Sequence, residues 1–319
     1  MQPERSAVGP HGPRVDAVAL HRTVRRLVGG GQVPWLHEEA ARRMAERLPL
    51  IRRQPAVLLD CSGPLGGSAS LLQAAYPTAR HLAVGMPGQT PPAPVRKSWW
   101  AFGRKPATPV ETVRPEEIGP GLADLLWSNM ALHLAADPQA LFAAWHRVLA
   151  VDGFLMFSTL GPGTMRTLRE LFVEAGWGEA FAPFVDMHDL GDMLVEAGFA
   201  DPVMDQETLT LTWPDAGRLL AELRGLGGNM AAGRMPGLRT PRWRAQLRHA
   251  LGERLLRPAD GRLALEFEVV YGHAFRPLPR ARVAAETALP LDDLRAMVRQ
   301  RRHGVSRGPH GTGDPEALG

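Results

Sequence analysis

The chain of 319 residues has one cysteine, Cys61, and two tyrosines, Tyr76 and Tyr271. A lone thiol excludes an internal disulfide and suits a reducing compartment. No apolar run reaches the roughly 18–20 residues that cross a bilayer. The stretch from Met1 to Val15 is polar and proline-rich, with no apolar segment of the kind a secretory signal carries. These absences read as a soluble cytoplasmic protein. Acid is also scarce locally: Cys61 to Val110 holds no Asp or Glu but five cations, Arg80, Arg96, Lys97, Arg104 and Lys105. No repeat is visible, and His133 and His273 have no partner at a ligand spacing, which argues against a metal.

What is present is a full-sized core. The chain is 45% hydrophobic and 22% charged, with a formal charge of +4. So mild a basic lean fits an acidic protein partner as readily as nucleic acid, and no nucleic-acid motif accompanies it. Apolar residues at Ala40, Ala41, Met44 and Leu48 predict an amphipathic helix over 37–48. Buried strands are predicted at 56–60, 80–86, 123–129 and 153–159, with helices at 68–75 and 138–149 between them. That alternation predicts a parallel α/β sheet with crossover helices. Further on, HDLGDMLVEAG reads as a helix, ETLTLTW as a strand, 215–256 as mostly helical and LALEFEVVYGHAFRP as a long last strand. Residues 87–109 form an insertion with six prolines, Trp99-Trp100 and four basic residues, read as a loop or flap. Residues 1–16 read as a loose arm, 17–277 as one domain, 214–256 as a helical cap, and 278–319 as an extension with a short basic helix at 291–302.

The stretch VLLDCSGPLGG, 57–67, carries the strongest local signal. A buried strand ends at Asp60 and runs into small residues, as a loop does where backbone approaches a ligand. A nucleoside cofactor such as S-adenosylmethionine is usually met by acid-x-Gly-x-Gly-x-Gly. With Asp60 first, the glycine positions are Ser62, Pro64 and Gly66, flanked by Gly63 and Gly67. The end of the second strand, where such folds place an acid for the ribose, is Met86. Loss of one charged hydrogen bond costs about 1.5–3 kcal/mol, or roughly 10–100-fold in affinity.

The segments WSNMALHLAADPQALFAAWHRVLAVDGFLMFSTLGPGTMRTLRELF, FVDMHDLGDMLVEAGFADPVMDQETLTLTWP, LRGLGGN and EVVYGHAFRP closely resemble the BioC family. Its members methylate the free carboxylate of malonyl-acyl carrier protein, with S-adenosylmethionine as donor, at the start of biotin synthesis. The resemblance implies a Rossmann-like α/β fold: a seven-stranded sheet, mostly parallel, with an antiparallel last strand. It implies cofactor contacts at Asp60, Gly63, Gly66, Gly67, Met86, Ser128 and Asn129, and matches Thr159, Leu160, Gly161 and Gly163 to the loop after the fifth strand. The family's N-terminal tyrosine has no counterpart in LVGGGQVPWLHEE. A carboxylate nucleophile is already ionised near pH 7, so no catalytic base is expected. A cation for that carboxylate is expected, with Arg224 and Arg234 as candidates, beside Thr159 on the substrate side. The implied partner is acidic acyl carrier protein, received by the basic residues of the acid-free stretch. The damaged cofactor loop leaves a second reading open: a non-catalytic protein of the same fold that binds a partner.

Overall fold

Val57–Asp60 (β1) is short because its job is confined: Leu58 and Leu59 are both buried, pointing into opposite apolar layers. The computed structural model describes residues 15–85, 110–237, 239–257 and 259–279. The chain divides into two units, Met1–Leu278 and Pro279–Gly319; everything below concerns the first. The expected arm up to Arg14, Met86, the 87–109 insertion with its tryptophans and cations, and the helix at 291–302 lie outside the described residues.

Around β1 runs a seven-stranded sheet in the order β3-β2-β1-β4-β5-β7-β6. The strands are β2 (Arg80–Val84), β3 (Glu111–Val113), β4 (Ala123–Ser128), β5 (Leu149–Leu160), β6 (Ala200–Trp213) and β7 (Leu263–Phe275). The pairs from β3 to β5 are parallel, and β7 is antiparallel to both β5 and β6. This is the seven-stranded, mostly parallel Rossmann-like sheet with an antiparallel last strand expected from the sequence.

Side-chain alternation sets the two layers. Leu58, Leu125 and Phe154 enter one layer; Leu59, Leu126 and Leu155 enter the other. Helices α4 (Pro138–Val148) and α6 (Met187–Glu196) cover the second layer with Phe142, Trp145, Leu190 and Leu194. The first is covered by α2 (Trp35–Ala45), α3 (Ala69–Ala75), α5 (Arg166–Glu174), α7 (Ala216–Leu226) and α8 (Pro241–Arg254). The helix starts follow ordinary capping chemistry: Asp137 accepts from Ala140 N at 2.9 Å, Asp215 from Gly217 N at 2.7 Å, and Thr240 from Trp243 N at 3.1 Å.

Differences from the sequence reading have local causes. The helix expected over 37–48 ends at Ala45, before a 3-10 turn at Leu48–Leu50 that carries Pro49. The strand read as ETLTLTW begins seven residues earlier, at Ala200 rather than Glu207; Pro202 and a register shift between Ala200 and Val203 mask its alternation, and an edge strand tolerates both. β3 is three residues long, too short for a period. Ala17–Gly30 forms an unanticipated helix, α1, capped by Asp16, while Val15 bridges to Ala231; the arm is therefore tied at its last two residues.

Gly272 faces Phe157 across the β5–β7 pair. A methyl group there would lie 2.4 Å from the Phe157 ring, and that ring is wedged against Phe142 and Trp145. Gly272→Ala is expected to destabilise the fold by about 1–3 kcal/mol, read as a lower urea midpoint with unchanged slope.

Candidate functional site

In an open sheet of this order, ligands collect at the carboxyl ends of the strands where the order reverses, here between β1 and β4. Asp60 pairs with Trp127, so the loops after Asp60 and Ser128 face each other. Their side chains bond mainly to one another. Asp60 accepts from Ser62 N at 2.8 Å, and Ser62 Oγ accepts from Asn129 N at 2.6 Å. Asn129 Nδ2 donates to His37 O at 2.8 Å and Gly66 O at 2.6 Å, while its Oδ1 accepts from Ser158 Oγ at 2.6 Å. Ser68 Oγ donates to Gly66 O and accepts from the Trp127 indole. His37 Nδ1 lies 2.9 Å from Leu65 O. A carbonyl can only accept, so Nδ1 carries the proton and Nε2 presents a lone pair.

Burial decides the charges here. It pushes the Asp60 carboxyl up to about 6, against the hydrogen bonds from Ser62. It holds His37 down to about 4 and His133 down to about 3, the latter helped by repulsion from His37. Between pH 6.5 and about 4 the unfolded chain protonates His37 while the fold refuses the proton, so acid costs stability in that window. His133 acts in the same sense. Asp60 acts oppositely: between 3.8 and about 6 the fold holds a proton that the unfolded chain has released. His81, His146 and His273 are likewise lowered by burial and act in the same sense as His37, so stability slopes downward from pH 6 to 4. Urea unfolding at pH 4.5 and 6 is expected to show this slope, and His37→Gln to flatten it.

The glycines serve the chain's own packing. A methyl on Gly66 would meet Ser62 Cβ at 2.3 Å, and one on Gly67 would meet Val33 Cγ1 at 2.9 Å. Between the two loops the space is about 20 Å³, walled by Ser62, Leu65, Asn129 and Met130 on the sheet side and by Thr23, Val24 and Leu27 of α1 on the other. Small-molecule sites occupy roughly 300–1,000 Å³. The space between the two loops is by itself too small for a ligand of that size. Asp60, Gly63 and Gly67 instead line a separate cavity of about 480 Å³ with His81 and Thr112. Ser128 is buried, with no partner for its hydroxyl among the described residues.

A cavity of about 520 Å³ lies next to the closed space and shares His37, Met130, His133, Leu226 and Gly227 with it. Leu160, Phe172, Leu220, Leu247 and Phe267 make its wall apolar, and α7 and α8 contribute Arg224, Arg244 and Arg248. Of the two expected arginines, Arg224 lines this cavity, whereas Arg234 is held by Asp16 at 2.9 Å and donates to Ala231 O. Thr159 is buried beneath it, beside Leu132 and Val185. Arg239 was not anticipated. It lines the same cavity half-buried, 4.1 Å above the Trp243 ring and 5.7 Å from Phe172, with no carboxylate at ion-pair distance among the described residues. Arg239 precedes the Thr240 cap of α8, so no helical spacing to Trp243 signalled it in the sequence. His37 was hidden for the opposite reason: it sits on the apolar face of α2 with Leu36, Ala40 and Met44.

Arg80, the one described cation of the acid-free stretch, is bound to Glu111 at 2.6 Å and is not free for a partner. His273 packs edge-on against Phe275. Among the described residues no three side chains gather as metal ligands, and no helix is long and apolar enough to cross a membrane.

No family model matches the chain. Individual proteins do. A malonyl-[acyl-carrier protein] O-methyltransferase of Gallionella capsiferriformans is 42% identical over 272 residues, covering 83% of this chain and 93% of that protein. One from Laribacter hongkongensis is 40% identical over 278 residues, covering 84% and 90%. A third, from Coxiella burnetii, is 33% identical over 259 residues, covering 81% and 86%.

Proposed function

The chain belongs to the malonyl-[acyl-carrier protein] O-methyltransferase family, and from that premise we propose that it methylates the free carboxylate of a malonyl group carried on acyl carrier protein. The donor is S-adenosylmethionine, the setting biotin biosynthesis in the cytoplasm. The observation that carries this reading is the apolar cavity of about 520 Å³ beside Asn129 and Met130, with Arg239 on its wall.

The chemistry asks little of side chains. The carboxylate is a ready nucleophile near pH 7, so the protein has to orient it and keep water away. Leu160, Phe172, Leu220 and Leu247 exclude water; Arg239 supplies the cation. His37 and His133 stay neutral at pH 7 and add no competing charge. The cofactor side comprises Asp60, Gly63, Gly66, Gly67 and Asn129, and α7 and α8 cap the substrate side. Arg224, Arg244 and Arg248 border the same cavity, a cationic rim suited to an acidic carrier, and salt should weaken that docking.

The closed 20 Å³ space favours the competing, non-catalytic reading. One assay decides between them. Malonyl- and acetyl-acyl carrier protein are incubated with the purified protein and methyl-labelled donor. Base-labile label on the malonyl carrier alone is expected; no transfer to either would sink the enzyme reading.

A further inference from the structure

The cavity of about 480 Å³ beside the glycine loop is large enough for a small ligand, and its charge has one sign. Glu38 and Asp60 bring carboxyl groups to it, and among the described residues no Lys or Arg lines it. Asp60 is buried and already accepts from Ser62 N at 2.8 Å. Glu38, in the first turn of α2, is exposed, and its carboxylate has no partner among the described residues. The other acids of that stretch are taken. Arg42 holds Glu39 at 2.6 Å and Glu46 at 2.5 Å, and Arg43 holds Glu39 at 2.7 Å. Arg42 stands four residues beyond Glu38, where a helical ion pair would form, but is spent on those two.

Packing sets Glu38 against the glycine loop: a methyl on Gly67 would lie 3.3 Å from Glu38 Cγ and 3.6 Å from its Cα. β2 contributes a second polar group to the same wall. His81 is 3% exposed, and its Nε2 has no partner among the described residues. A buried polar atom left unpaired at a cavity calls for a ligand. The end of β2, in contrast, brings no acid, since Val84 is followed by Gly85 and Met86.

We propose that the nucleoside of the donor lies in this cavity and that Glu38, from α2, accepts hydrogen bonds from its ribose hydroxyls in place of the acid missing at the end of β2. The proposal rests on the reading that S-adenosylmethionine is the donor. The two oxygens of a carboxylate match two neighbouring hydroxyl donors, and charge strengthens both bonds. The amino-acid end of the donor matches this cavity poorly, because its own carboxylate would face Glu38 and Asp60 with no cation beside it. Burial lowers the pKa of His81, so its ring is neutral at pH 7. A neutral Nε2 offers either an N–H or a lone pair, and an adenine edge carries the complement of each.

The test compares the full chain as wild type and Glu38→Gln by calorimetry with two probes. S-adenosylhomocysteine carries both the nucleoside and the amino acid; 5′-methylthioadenosine carries the nucleoside alone. Glu38→Gln is expected to weaken both by about 10–100-fold, on the scale of a charged hydrogen bond. The melting temperature without ligand should stay the same, since Glu38 is exposed and holds no partner in the fold, whereas a merely structural role would lower it. If only S-adenosylhomocysteine binding weakens, the carboxylate grips the amino group and the ribose assignment is overturned. If both probes bind wild type and variant equally well, Glu38 is outside the site and the donor reading stands without it. If wild type binds neither probe at millimolar concentration, the proposal falls together with the donor reading.

Discussion

Asn129→Ala is expected to lower the unfolding free energy by about 3 kcal/mol, roughly one for each of three buried hydrogen bonds lost. Those bonds run to His37 O, Gly66 O and Ser158 Oγ. Each leads to a different part of the site: α2, the loop after β1, and β5. His37 O stands within the hydrogen-bond ladder of α2, and Gly66 O keeps a bond from Ser68 Oγ, so the loss is that of the bonds themselves and strands neither carbonyl. The melting temperature should fall by about 6–12 °C. Ser128→Ala, one residue earlier, is the control: its buried hydroxyl has no partner among the described residues, so removing it should be neutral or slightly stabilising. Equal losses in the two variants, measured by urea unfolding, would mean that the network does not hold the loops together.

Arg239→Met is expected to raise KM for malonyl-acyl carrier protein by about 10–100-fold, the worth of a charged hydrogen bond of about 1.5–3 kcal/mol. The turnover number should change much less, because the cation would grip the carboxylate in both ground and transition states. Arg239 is free to do this. Its guanidinium lies on Trp243 and Phe172, which fixes its plane without consuming its N–H groups. Methionine should keep the aromatic packing, so stability is expected to hold within about 1 kcal/mol, inside the usual range for surface changes. Arg239→Lys should fall between, keeping charge but losing the two-pronged geometry. Arg234→Met, by contrast, should act through the Asp16 pair that holds α1. An unchanged ratio of malonyl to acetyl carrier binding in Arg239→Met would remove the residue from the site.

The fold was legible because it depends on patterns that local chemistry enforces. Val57–Asp60 and Ala123–Ser128 are apolar runs that end in polar residues, and strands buried on both faces have to read that way. Helix starts at Asp137, Asp215 and Thr240 carry their caps in the sequence. The three residues of β3 carry no period, whereas α1 carries one, at Leu20, Val24, Leu27 and Val28 behind the Asp16 cap, that the sequence reading passed over.

The candidate site divides along the same line. By itself the sequence determined that Asp60 ends a central strand, that glycines follow it, and that the chain is akin to carrier-protein methyltransferases, because strand ends, turns and long homologous segments are local or contiguous properties. The tertiary structure alone decided what those glycines face, that Asn129 bonds to Gly66 across the cleft, that Arg234 is spent on Asp16, and that Arg239 stands free on the cavity wall. Those facts concern pairs of residues far apart in the chain, such as Arg26 and Gly227. No periodicity or composition encodes such a meeting; it exists once packing has brought the two surfaces together.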